Sequence, residues 1–279
     1  MRVKKLKVKP GLVLCYVISI LLAVAALFPL VWMVFSSFKP KSEIFVLPFR
    51  LLPNTWTIKN YDTIINDEYV SFFRSLFVTF AVSCSGVALS LTNNTMAGYV
   101  FARMNFIGKK ILWPYCLVSM FVPGISIQIT SYLVVNALGM VDTVWALIVP
   151  GATAGYSIFF FRQFFLNMPA SLEDAARVDG CGRFRIFWQI FLPMSKAPLV
   201  VMGAGCFIGY WNAYLWPAIV ITKPEIMQCM QIIRMLSTSY GNDYGAILAG
   251  SAMAVVLPVG VFCVFQRYIV QGFVLSGIK

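Results

Sequence analysis

Six long apolar runs, each free of Asp, Glu, Lys and Arg, punctuate this chain at 13–37, 75–102, 111–135, 143–161, 197–222 and 245–266. Each approaches or exceeds the roughly 20 residues that an α-helix needs to cross a bilayer. None alternates apolar with polar positions over about ten residues, which is the pattern of a transmembrane barrel strand. The runs therefore predict an all-α integral membrane protein with six transmembrane helices, forming a single transmembrane domain over residues 1–279. The longest polar segment on one side of that scheme is 162–196.

Composition agrees with the pattern. With 60% hydrophobic and 11% charged residues, the chain is too apolar for one soluble core of 279 residues. Charge then sets the orientation, because cytoplasmic loops carry the excess of Lys and Arg. With both termini inside, the inner segments 1–12, 103–110, 162–196 and 267–279 hold 15 of the 22 basic residues, against 3 of the 10 acidic ones. The whole net charge of +12 thus falls on the inner side. Both termini are predicted to be cytoplasmic. A balance this basic also suits nucleic-acid binding, but here it is divided among short loops beside membrane helices, so no nucleic-acid partner is implied. The basic Met1–Lys5 start leads into an apolar run that reaches Ser37 without a small-residue cleavage site, so it reads as a retained first helix.

Several chemistries are missing. The seven Cys are scattered without CxxC spacing and there is no His, so no disulfide framework or metal site is expected. A transporter driven by protons or sodium usually keeps an ionisable group within its helices, and no span has one. The phosphate-cradling GxxxxGK[ST] loop is absent, as is any nucleophile and base pairing of a hydrolase. No catalytic residue is assigned, no cofactor is expected in this chain, and uphill movement would need energy from another chain.

Within 162–196, Met168–Gly180 reads as a short helix opened by Pro169 or Ser171, acidic in its first turns and closed by Gly180. A second amphipathic piece, Arg183–Phe191, stops at Pro193. Ala176 and Gly180, four apart, give the first helix a smooth face suited to a groove in another protein.

At these residues the sequence reads D-A-A-x3-G-x9-I-x-L-P from Asp174 to Pro193. It resembles the E-A-A-x3-G-x9-I-x-L-P signature of bacterial ABC importer permeases, with every spacing kept. The resemblance implies a type I permease whose cytoplasmic loop forms the coupling helix that docks in an ATPase cleft, through Glu173, Asp174, Ala175, Ala176, Asp179 and Gly180. Asp174 stands where the family has Glu and is one methylene shorter, so either Asp174 or Glu173 is the carboxylate that meets a basic partner.

Further segments are similar to the carbohydrate branch, in particular the maltose-type smaller permease subunit. They include Ser36–Lys39, Ala97–Arg103, Phe161–Phe165, Trp211–Pro217 and Gln266–Gly272. What this implies is half of a sugar or oligosaccharide path in a bacterial inner membrane. Its partners would be a second homologous permease, two cytoplasmic ATPase subunits that hold ATP and Mg, and an extracytoplasmic solute-binding protein. An importer of a polyol or glycerophosphate is the alternative, followed by a secondary transporter. The outer segment with Met227, Gln228, Met230 and Gln231 would face the binding protein.

Sugar-facing residues need hydrogen-bonding groups or flat rings. Trp211, Asn212 and Tyr214 qualify, although aromatic residues there also serve as packing or interfacial anchors. Asn93 and Asn94 fall about 15 Å from Arg103 by helical rise. Buried amides are costly without partners, so they either line the path or join helices by hydrogen bonds. In the first case, alanine at each lowers uptake and spares assembly.

Overall fold

The fold is a computed structural model describing residues 10–67, 69, 71–239 and 243–277, with side chains undescribed at 10, 238–239 and 268–277. The basic Met1–Lys9 stretch, the carboxyl terminus and the side chains of 268–272 in the last family-like segment lie outside the described residues. In chain order the helices are α1 (Pro10–Ser37), α2 (Lys41–Ile44), α3 (Lys59–Ile65), α4 (Phe72–Arg103), α5 (Lys109–Ser119), α6 (Gln128–Ala137), α7 (Val144–Ile148), α8 (Gly155–Leu166), α9 (Ala170–Val178), α10 (Arg183–Ile186), α11 (Leu192–Met194), α12 (Lys196–Trp211), α13 (Leu215–Val220), α14 (Cys229–Ser239) and α15 (Tyr244–Gly277). There is no strand among the described residues.

Three of the expected spans fall within continuous helices, α1, α4 and α15, each long and apolar enough to cross a membrane. The other three are broken. Run 111–135 becomes α5 and the Gly124–Ala137 helix, bent by 107°. Pro123 explains this, since it donates no hydrogen bond and holds the residue before it out of the helical region. Run 143–161 divides into α7 and α8 around Pro150-Gly151, and run 197–222 into α12 and α13. Uniform apolarity marks a span but not its breaks.

Arg183–Phe191 also ends differently. A π-helical turn at Phe187–Phe191 leads into α11, so the helix passes through Pro193 before an 80° bend into α12. In an α-helix the Pro193 ring would press on the Gln189 carbonyl, and the wider turn relieves that clash.

The chain divides into two compact units: residues up to 67 with 235–253, and residues 68–234 with those from 254 on. In the first unit, α1 keeps its apolar flanks exposed until its last turn, where Ser36 and Ser37 are buried. Asn60 Nδ2 donates to the Ser37 and Lys39 carbonyls at 2.7 and 2.8 Å, satisfying acceptors that the end of α1 leaves open. Gly245 sits against that amide, so a Cβ there would lie 2.3 Å from Asn60 Oδ1. Lys41 and Asp243 pair at 2.7 Å.

The second unit is organised around α4. Its buried face carries Ser75, Thr79, Ser83, Gly86, Ser90, Asn94 and Gly98, small or polar residues spaced by three or four. Small residues let helices approach closely where surrounding lipid gives no hydrophobic reason to associate. α8 and α12 pack against this face. A Cβ on Gly86 would meet the Tyr210 ring at 2.5 Å, and one on Gly151 would meet its hydroxyl at 2.8 Å. That hydroxyl donates to the Ile148 carbonyl at 2.8 Å.

Asp142, at φ 58°, clips the turn after α6 to the strand-like stretch after α13. Its carboxylate accepts bonds from Thr222 N at 2.5 Å, Thr222 Oγ1 at 2.7 Å and Lys223 N at 3.1 Å. The Thr222 backbone bond, followed by its hydroxyl, holds this carboxyl below its ordinary range. A depressed carboxylate stabilises the fold above the unfolded value, about pH 4, and that contribution is lost as pH falls through the folded value. The difference in melting temperature between wild type and Asp142→Asn should therefore be constant near neutrality and shrink only below about pH 4. A difference unchanged down to pH 2 would place the effect elsewhere.

Candidate functional site

The residues with the strongest sequence signal lie on α9. The chain leaves α8 through Asn167, and Pro169, extended at φ −59° and ψ 132°, opens α9. Gly180, at φ +79°, closes it. Gly180 N donates to the Arg177 carbonyl at 3.0 Å and Cys181 N to that of Ala176 at 2.9 Å, the paired bonds of a Schellman cap. The boundaries match those expected from Pro169 and Gly180.

The direction of the side chains does not. Ala176 is 7% exposed, inside a cluster with Tyr99, Phe161, Phe165, Ile186, Phe187 and Phe191. It serves this chain's own core, so the smooth outward face of Ala176 and Gly180 is corrected to Gly180 alone. Glu173 is also turned inward, 6% exposed, and accepts a 2.5 Å bond from Arg177 four residues later. Asp174, Ala175, Asp179 and Gly180 point outward. Of the two carboxylates, Asp174 is the accessible one. Sequence reading missed Val178, which is 87% exposed on this short helix. An apolar residue among charged ones, half a turn away from buried Ala176, was the available signal.

Beneath α9, Arg103 at the end of α4 donates through Nη2 to the Phe165 carbonyl at 2.6 Å and to the Met168 carbonyl. Its guanidinium lies over the Phe191 ring, 5.2 Å from the centroid. Tyr99, one turn earlier, packs on Phe165, Phe187 and Phe191.

The path candidates separate. Asn94 is 1% exposed and its amide is occupied: Nδ2 meets Ser90 Oγ at 2.9 Å and the Ala152 carbonyl at 3.5 Å, and Oδ1 accepts the Ala154 N–H at 3.1 Å. Ala154 caps α8, so Asn94 satisfies a helix-end donor exposed by the Pro150-Gly151 break. Of its two expected roles, this structure places it in the one that joins helices. Asn93 is half-buried, and its side chain makes no hydrogen bond among the described residues. Trp211 is 1% exposed and stacks on Phe207 at 5.6 Å, which makes it a core residue. Asn212 and Tyr214 are exposed in the break between α12 and α13. Tyr210, not singled out by sequence, lines a groove of about 430 Å³ with Gln128, Ser131, Gly151, Cys206 and Trp216.

The outer segment is also corrected. Met227, Gln228 and Gln231 are buried and Met230 is half-buried. The Pro224–Ile226 turn folds this stretch onto α4, where Cys229 N donates to Thr79 Oγ1 at 2.9 Å, and Gln231 Nε2 donates to the Ile221 carbonyl at 3.0 Å. Thr222, Lys223 and Glu225, ahead of the buried stretch, are exposed, as is Arg234.

Asn94→Ala should thus destabilise the chain by about 1 kcal/mol, because it removes the side-chain acceptor of the part-buried Ala154 N–H at the start of α8. Asn93→Ala should stay within about 0.5 kcal/mol. Thermal unfolding in detergent distinguishes them, and equal midpoints would remove the capping role.

Comparison with known proteins follows this geometry. Residues 94–274 match the family described as binding-protein-dependent transport system inner membrane component. The arabinooligosaccharides transport system permease protein of Halalkalibacterium halodurans is 32% identical over 263 residues, 92% of this chain and 93% of that protein. The sn-glycerol-3-phosphate transport system permease protein of Yersinia enterocolitica is 28% identical over 95% of this chain and 96% of that protein. Among solved structures, a chain of a bacterial ABC transporter involved in the import of the acidic polysaccharide alginate superposes with TM-score 0.78. It covers 93% of this chain and 96% of that one at 22% identity, a likeness of fold.

Proposed function

The chain belongs to the family of binding-protein-dependent transport system inner membrane components, and from that premise we propose that it forms half of the translocation path of an ATP-driven importer for a sugar or oligosaccharide. The observation that carries this reading is α9, a capped nine-residue helix whose outward face holds Asp174, Ala175, Val178, Asp179 and Gly180, while Ala176 packs into the core and Glu173 turns inward to pair with Arg177. That face suits a cleft in a cytoplasmic ATPase, with Asp174 as the carboxylate for a basic partner. Glu173 and Ala176 are turned inward and lie outside the docking face.

In this scheme the chain hydrolyses nothing. Two ATPase subunits hold ATP and Mg, a second homologous permease completes the path, and a solute-binding protein delivers the sugar from outside. Both termini and 162–196 face the cytoplasm of a bacterium, following the basic inner loops. Asn93, Asn212 and Tyr214 remain the path residues. Thr222, Lys223 and Glu225 take the binding-protein role first given to Met227, Gln228, Met230 and Gln231.

Uptake of labelled arabinooligosaccharide into vesicles holding the assembled complex tests the reading. Uptake should require ATP and the binding protein and ignore imposed proton or sodium gradients. Uptake driven by a gradient without ATP would make the chain a secondary transporter. The relative that carries sn-glycerol-3-phosphate supports a second reading, and transport of that compound in place of the sugar would establish it.

A further inference from the structure

A nine-residue helix between two turns is free to move by itself unless something ties its base to the spans. The turns here are Asn167–Pro169 and Asp179–Gly182, and α9 lies between them. Docking at such a helix would then move only the loop. Beside the packing of Ala176 in the cluster with Tyr99 and Phe165, one side chain ties the base of the helix by polar contacts. From the last residue of α4, Arg103 reaches the Phe165 carbonyl in the final turn of α8 and the Met168 carbonyl just before Pro169. Carbonyls at a helix end lack intrahelical partners, and a cation there is favoured by the helix dipole. The same guanidinium rests on Phe191, in the π-helical turn of the chain returning from α9. Arg103 thus holds α4, the turn entering α9 and the helix leaving it.

The guanidinium is not placed for its own best solvation. Nε is buried without a hydrogen-bond partner among the described residues, and a buried donor left so is costly. Its position follows from the two carbonyls and the ring. Behind it, Gly98 lets α4 touch the backbone of α8, and four residues before Gly98, Asn94 caps the start of α8. A displacement entering at Met168 therefore meets α4 at its end, and α4 meets α8 again at Asn94.

We propose that Arg103 is the positioning residue that carries displacement of α9 into α4, so that without it the docking helix moves and the span does not follow. This rests on the reading of α9 as the ATPase-docking helix. The alternative is a structural role, in which Arg103 merely stabilises the inner end of the bundle.

The test is hydrogen exchange on the complete importer complex, nucleotide-free and trapped with ATP, Mg and vanadate, following peptides 96–108 and 169–182. In wild type both peptides should change on trapping. In Arg103→Gln the change at 169–182 should persist and that at 96–108 should be lost. Arg103→Lys keeps the charge over Phe191 and one carbonyl bond, and should restore part of the change at 96–108. Both peptides still responding in Arg103→Gln would overturn the proposal. So would loss of assembly in both variants, which is the outcome of a structural role. If 169–182 fails to respond in wild type, the docking assignment itself fails, a result distinguishable from failure of the Arg103 link alone.

Discussion

Val178→Asp is expected to weaken the hold of the ATPase on this chain by tenfold or more without lowering the chain's own melting temperature, and Ala176→Phe to do the reverse. Val178 is 87% exposed. Burying a valine in a partner's cleft contributes about 1.5–3 kcal/mol, and about 1.4 kcal/mol is already tenfold in affinity. A carboxylate in its place adds a desolvation cost beside Asp174 and Asp179. Ala176 is enclosed by Phe165, Phe187, Phe191 and Tyr99. A ring there has no space, and overpacking of a filled core costs about 1–3 kcal/mol and sometimes more. Retention of the ATPase on a sizing column, measured beside thermal unfolding of the chain, separates the two. If Ala176→Phe released the ATPase while keeping wild-type stability, Ala176 would be a docking residue and the helix would be turned the other way in the complex.

Gly98→Val should be still more damaging to the fold. The first atom added lies 2.8 Å from Phe161 Cβ and 3.0 Å from Arg162 N. The second of these is backbone within α8, so no rotamer change relieves it. The two helices must separate along a contact that also holds Tyr99 against Phe165 and Arg162 Nε on the Phe101 carbonyl at 3.3 Å. A loss of about 3 kcal/mol or more is expected, at the upper end for overpacking. Gly205→Ala is the matched control. Nothing lies within 4 Å of its added Cβ, and in a helix interior alanine is favoured over glycine by about 1 kcal/mol. Its melting temperature should rise or hold while that of Gly98→Val collapses. Similar midpoints for the two would mean that α4 and α8 are not in contact at Gly98.

These residues also mark where sequence reasoning reached. The α9 helix was legible because its signals are local: Pro169 opens it, Gly180 has the left-handed conformation that closes it, and the spacing from Asp174 to Pro193 is covalent. Membership of the bilayer was legible for the same reason, since a run such as 75–102 needs no partner to declare itself. Which way a side chain points depends on what the run packs against, and in a helix apolar on every side the hydrophobic period is silent. On α4 the information lay instead in the small and polar residues. Ser75, Thr79, Ser83, Gly86, Ser90, Asn94 and Gly98 trace one face, and reading that stripe as the packed side would have placed Asn94 inside and left Asn93 beside it. Gln228 and Gln231 misled for the opposite reason. Amides in a loop read as solvent-facing, but here the Ile221 carbonyl, ten residues back, accepts from Gln231, and the bond from Cys229 N to Thr79 on α4 holds the stretch that buries Gln228. The bends at Pro123 and Pro150 were signalled by residue type, whereas the passage of the helix through Pro193 depended on a π-turn that no composition announces.

The central claim is that this permease is driven by an ATPase seated on α9, and the most direct measurement is mass spectrometry of what co-purifies with the chain from its native membrane in mild detergent. The account predicts a nucleotide-binding ATPase and a second permease with wild type, with the ATPase lost on Val178→Asp and the second permease retained. A chain that purifies alone, or with partners none of which binds nucleotide, would contradict it.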